Sequence, residues 1–81
     1  MNNLIGTEMN STELEHLLKN YLETKYQQPL EFFEIEGRMS ADTNGDIGVT
    51  GNYRKKAGDK KTFFTVTVNL TSRKVTNLQE Y

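Results

Sequence analysis

The apolar residues of this chain change their repeat once, at Pro29, and that change limits the folds open to it. Before Pro29, Leu14, Leu17, Leu18, Tyr21 and Leu22 recur at helical spacing and build one apolar stripe. After it, Phe33, Ile35, Gly37 and Met39 alternate with Glu34, Glu36 and Arg38, the period-two pattern of a strand with one buried and one wet face. Side chains 3.6 to a turn share one side of a helix. Side chains that alternate share one side of a sheet.

Each element carries its own boundary signals. Asn10 is a good N-cap, and Glu13 occupies the capping-box position three residues later. Met9 and Leu14 occupy the two positions of a hydrophobic staple, while Thr12 with Glu15 offers a shifted start. Pro29 ends the helix, which is expected to close near Tyr26. Leu30 and Phe32 are out of phase with the first strand, so either a bulge falls near Phe32 and Phe33 or one aromatic is left on the open face. The run 41–46, with Asn44-Gly45, is turn chemistry.

A second strand places Ile47, Val49, Gly51 and Tyr53 on one side, with Gly48, Thr50 and Asn52 on the other. A third, 62–70, alternates Phe64, Val66, Val68 and Leu70 with Phe63, Thr65, Thr67 and Asn69. Residues 71–73 turn the chain into a short last strand over 74–79, with Val75 and Leu78. Sequential strands with short connections pair as antiparallel neighbours. The expectation is an α+β two-layer domain over 10–81, one N-terminal helix on a four-stranded antiparallel β-meander, after a flexible tail over 1–9. This order of elements resembles that of cystatin-like and PepSY-type small domains. The resemblance implies a fold and no activity.

Composition removes several functions. With no Cys there is no disulfide, no cysteine nucleophile and no Cys-based zinc staple, so the core must be aliphatic and aromatic. No run approaches the roughly 18 apolar residues of a membrane span. The first ten residues lack a basic start and an apolar run. A soluble, cytoplasmic protein is expected.

Few residues suggest chemistry. His16 is the sole histidine and lies on the polar helix face, so an exposed surface residue is favoured over a catalytic one. Glu34 and Glu36 share the wet face by alternation, where solvation suits them better than acid–base work. Asp42-x-Asn44-x-Asp46 resembles the start of a calcium loop, but Ile47 and Tyr53 stand where such a loop needs Gly and an acid. Gly51 marks a bulge or a close approach of the helix. The protein is therefore expected to be non-enzymatic, with no cofactor, metal or small-molecule substrate.

Charge is divided along the chain. Residues 1–53 hold three basic against nine acidic residues, a net of −6. Residues 54–81 hold seven basic against two acidic, a net of +5, and the total is −1. Such asymmetry steers partners or self-association. The candidate binding residues are Arg54, Lys55, Lys56, Lys60 and Lys61 around one hairpin, with Phe63, Thr65 and Thr67 on the second sheet face. Arg73 and Lys74 belong to the next turn, at the other end of a meander, and are not expected to extend this patch.

The favoured function is a small accessory or inhibitory interaction domain of bacterial or phage type. It would bind a protein partner, or itself as a dimer, through the sheet face or the basic hairpin. The alternative is a weak nucleic-acid binder using the hairpin 54–61 and Phe63.

Overall fold

The computed structural model describes residues 10–39 and 45–81. The expected tail over 1–9, the staple residue Met9 and the turn residues Asp42 and Asn44 lie outside the described residues. The elements run α1 (Ser11–Tyr26), β1 (Phe32–Met39), β2 (Asp46–Arg54), β3 (Thr62–Asn69) and β4 (Val75–Glu80). The strands form one antiparallel sheet in the order β1-β2-β3-β4. The fold is the expected α+β arrangement of one helix against a four-stranded meander. No described helix is long and apolar enough to cross a membrane.

Local chemistry sets both ends of α1. The Asn10 side chain accepts from the Glu13 amide at 2.8 Å, and the Glu13 carboxylate accepts from the Asn10 amide at 3.1 Å. Two otherwise orphaned donors are thereby satisfied. At the other end Gln27 takes the left-handed conformation, φ 57°, and its amide donates to the Glu23 carbonyl. The Glu23 carboxylate also accepts from the Leu30 amide at 2.8 Å, which fixes the turn that leads into β1.

Leu14, Leu18 and Leu22 are buried on one side of α1. They meet Ile47, Val49 and Tyr53 of β2, Phe64, Val66 and Val68 of β3, and Leu70 just beyond it. Phe33, Ile35, Val75 and Leu78 close the flanks. Phe64 lies at the centre, with its ring centroid 5.7 Å from Phe33 and 6.2 Å from Tyr53.

Gly51 pairs with both Ile35 and Phe64. A Cβ placed there would stand 2.7 Å from Phe64 Cζ and closer still to the Glu34 carbonyl oxygen. The close approach therefore comes from the Phe64 ring and the backbone of β1, not from the helix.

Two bulges correct the simple alternation. In β1 the register passes from Ile35↔Gly51 to Gly37↔Thr50, so Glu36 is inserted. The bulge lies three residues past the expected place, and it reverses the strand's faces beyond it. Gly37 and Met39 join Thr50 and Gly48 on the open face, and Met39 is 71% exposed rather than buried. Arg38, opposite Val49, turns to the helix side instead of the wet face. Glu34 and Glu36 accordingly no longer follow in simple alternation.

In β4 the register passes from Thr67↔Thr76 to Thr65↔Gln79. Asn77 sits there at φ 55°. The extra residue lets Val75 and Leu78, three apart, both pack on the core.

Candidate functional site

The helix covers one face of the sheet, and among the described residues nothing covers the other. Paired residues share a face, so its make-up follows from the register. β2 contributes Asp46, Gly48, Thr50, Asn52 and Arg54, and β3 contributes Phe63, Thr65, Thr67 and Asn69. Phe32 lies opposite Arg54, and Glu34 opposite Asn52. Thr76 and Gln79 come from β4. Tyr81 exchanges two 2.8 Å backbone hydrogen bonds with Phe63 and so extends that edge.

The two ends of the face differ in height. At one end stand Phe32, Phe63 and Tyr81, with Phe63 42% and Tyr81 70% exposed. Towards the other, Gly48 carries no side chain, and a shallow groove of about 390 Å³ opens between Met39, Thr50, Thr67 and Gln79.

Alternation along β2 divides the basic hairpin. Arg54 and Lys61 lie beside the Phe32 ring, at 5.2 and 5.0 Å from its centroid. Lys55 instead reaches the helix side, with Nζ 3.8 Å from the centre of the Tyr26 ring, where Lys25 also lies at 5.7 Å. Lys56 and Lys60 are exposed in the loop. Of the residues singled out in the sequence, Arg54, Lys61, Phe63, Thr65 and Thr67 share the open face. Lys55 does not join them. The 71–73 turn is at the far end, where the Leu70 amide bonds the Gly45 carbonyl at 2.9 Å.

Asn52 is 1% exposed although it points away from the helix. Its Nδ2 donates to Glu34 at 3.4 Å, while its Oδ1 and the Nε of Arg54 have no hydrogen-bond partner. Two neighbouring polar groups at the Arg54 end of the open face thus hold unused hydrogen-bonding capacity.

A second cluster, on the helix side, was not anticipated from the sequence. The Glu80 carboxylate accepts from the Tyr53 hydroxyl at 2.6 Å and from the Tyr26 hydroxyl. Burial pushes the Tyr53 phenol upward, and donation to Glu80 adds to that; burial and then Glu80 also raise Tyr26. The tyrosines therefore stay protonated and act as donors. Glu80 faces the core only because the Asn77 bulge advances the alternation by one residue. The clue in the sequence was the odd three-residue spacing of Val75 and Leu78.

Other hollows are shallow. One of about 270 Å³ lies between the start of α1 and β1, lined by Ser11, Glu15 and Arg38 among others. His16 is exposed and borders an open depression with Lys19, Asn20 and Glu23. Among the described residues there is no group of three or more His, Cys, Asp or Glu placed to hold a metal ion.

Comparison of the chain with protein-family models, with curated proteins and with solved structures found no match. The likeness to cystatin-like and PepSY-type domains thus rests on the order of elements alone.

Proposed function

We propose that this protein is a non-enzymatic interaction module that binds a protein through its open sheet face. The carrying observation is that Phe63, Tyr81 and Met39, the large exposed hydrophobic residues among the described ones, all lie on the one face that the helix leaves bare. Scattered exposed apolar residues are ordinary, whereas several gathered on one face mark a contact surface. The Thr-rich middle supports the same reading. Thr50, Thr65 and Thr67 line the shallow groove with polar but uncharged groups, so it can be desolvated without burying charge.

The arrangement of Arg54 and Lys61 favours a second reading, binding of single-stranded nucleic acid. Two features weigh against it. Both cations lie at the Phe32 ring, which leaves that ring less available for a base to stack on. Only these two of the hairpin's cations reach the face, and Glu34 shares it. Few phosphate contacts give weak binding that salt abolishes.

Affinity capture with the tagged full chain tests the proposal, with Phe63→Asp and Thr65→Lys as face variants. Capture of a protein by the wild type, lost in both variants with melting temperatures retained, is the expected result. Equal capture by all three overturns the assignment to this face. Salt-sensitive retention of an oligonucleotide, lost in the same variants, establishes the second reading instead.

A further inference from the structure

We infer that the partner for this face is a second copy of the chain, stacked sheet on sheet about a two-fold axis that crosses the strands at Thr50. This rests on the open-face reading and specifies its occupant.

Charge along the central strand carries the inference. β2 pairs with β3 without interruption from Asp46↔Asn69 to Tyr53↔Thr62, so its even-numbered residues hold one face throughout. That row begins with Asp46 and ends with Arg54, and each stands four residues from Thr50. A two-fold axis across the strands at Thr50 exchanges the ends of the row. Each Arg54 then faces the partner's Asp46, giving two opposite-charge pairs from one symmetric contact.

The other face-to-face two-fold runs along the strands, between β2 and β3. It places each Arg54 over the partner's Lys61, the residue one step beyond the Tyr53↔Thr62 pair. Like charges would then meet twice, a cost that opposes this arrangement.

Shape selects the same axis. The axis along the strands keeps the aromatic ends of both copies together, with Phe63 over the partner's Asn52 and Tyr81 over its Glu34, and leaves the hollows facing each other. The axis through Thr50 instead brings Asn52 over the partner's Gly48 and Phe63 over its Thr67, both of which line the groove. The aromatic end of each copy meets the end of the other where Gly48 lies, with Glu34 over the partner's Met39.

Area sets the expected strength. Four strands spaced ~4.8 Å apart and about eight residues long at ~3.4 Å each give a footprint of roughly 500 Å² per copy. The total, roughly 1,000 Å², is at the lower limit of specific interfaces and below the ~1,600 Å² typical of tight ones. The dimer is therefore weak and concentration-dependent, with the two sheets aligned and ~10 Å apart.

Sedimentation equilibrium of the full chain, from micromolar to millimolar concentration, tests this. The expected mass rises from that of one 9.3 kDa chain towards two. Arg54→Glu and Asp46→Arg should each weaken association about tenfold, and the double exchange should restore it. Thr65→Lys, close to the axis and outside the core, should also dissociate the dimer with its melting temperature unchanged.

A strict monomer at millimolar concentration overturns the inference, as does a double exchange no better than the singles. If the wild type is monomeric yet captures another protein in a Phe63-dependent way, self-association is refuted and the open-face reading stands. Saturable oligonucleotide binding to a monomer refutes both.

Discussion

The Tyr53 hydroxyl donates to the Glu80 carboxylate across 2.6 Å, joining a residue of the central strand to the last residue of β4. Tyr26, at the end of α1, donates to the same carboxylate. One acidic side chain thus fastens the helix end, the sheet centre and the final strand. A carboxylate that accepts two phenol hydrogen bonds makes charge-assisted contacts, stronger than neutral ones.

Removing that acceptor strands two donors. Glu80→Ala should lower stability by about 1–3 kcal/mol, and Glu80→Gln by less, because the amide oxygen still accepts. Thermal or urea unfolding followed by circular dichroism measures both. Equal stability of Glu80→Ala and wild type would show that the cluster contributes nothing.

The same cluster gives a dependence on alkaline pH. The folded Tyr53 and Tyr26 phenols titrate above their ordinary value of 10.0. Above that value the unfolded chain releases protons that the folded chain keeps, so rising pH favours unfolding. Stability attributable to these groups is fully present below pH 10 and falls beyond it. Each retained proton contributes a slope of at most about 1.4 kcal/mol per pH unit. Denaturant titrations at stepped pH should show a shallower fall for Tyr53→Phe than for wild type. Parallel curves would contradict the assignment.

Gly51 should not accept a side chain. In Gly51→Ala the new Cβ meets Phe64 Cζ at 2.7 Å and the β1 backbone more closely still. Either the Phe64 ring or the bulged part of β1 must shift. A loss of about 1–3 kcal/mol is expected, readable as a lowered melting temperature. A gain, as ordinary replacement of glycine in a strand would give, would mean that the ring moves aside freely.

Asn77 holds the β4 bulge at φ 55°, a region where asparagine is tolerated and β-branched residues are strained. Asn77→Gly should leave stability within about 0.5 kcal/mol, whereas Asn77→Val should cost about 1–3 kcal/mol. Amide exchange would locate the damage. Protection should fall over β4 and its partners in β3, with α1 less affected. Uniform loss across the sheet would argue against a local role.

What was legible in the sequence was local and periodic. The capping box of Asn10 and Glu13, the stripe through Leu14, Leu18 and Leu22, and the alternation of β2 and β3 each depend on neighbours a few residues away. Phe63, Thr65 and Thr67 were placed on the open face by the same counting. Alternation failed where a residue is inserted. Gly37 is the one mark of the bulge in Ile35-Glu36-Gly37, and counting it as an ordinary buried position put Arg38 and Met39 on the wrong faces. The basic hairpin was read as one cluster because composition ignores direction. Arg54 and Lys55 are adjacent and therefore point to opposite sides of the sheet. Tyr26, Tyr53 and Glu80 meet through tertiary geometry, which no spacing between them records.

Both bulges fall in the outer strands, Glu36 in β1 and Asn77 in β4, while β2 and β3 between them run in unbroken register. An outer strand with an inserted residue twists and presents its free amides and carbonyls out of step. Both margins are thereby made poor templates for sideways pairing in register with another sheet, and for growth into a fibril. Among the described residues, the open face is the direction of contact that these bulges leave undisturbed.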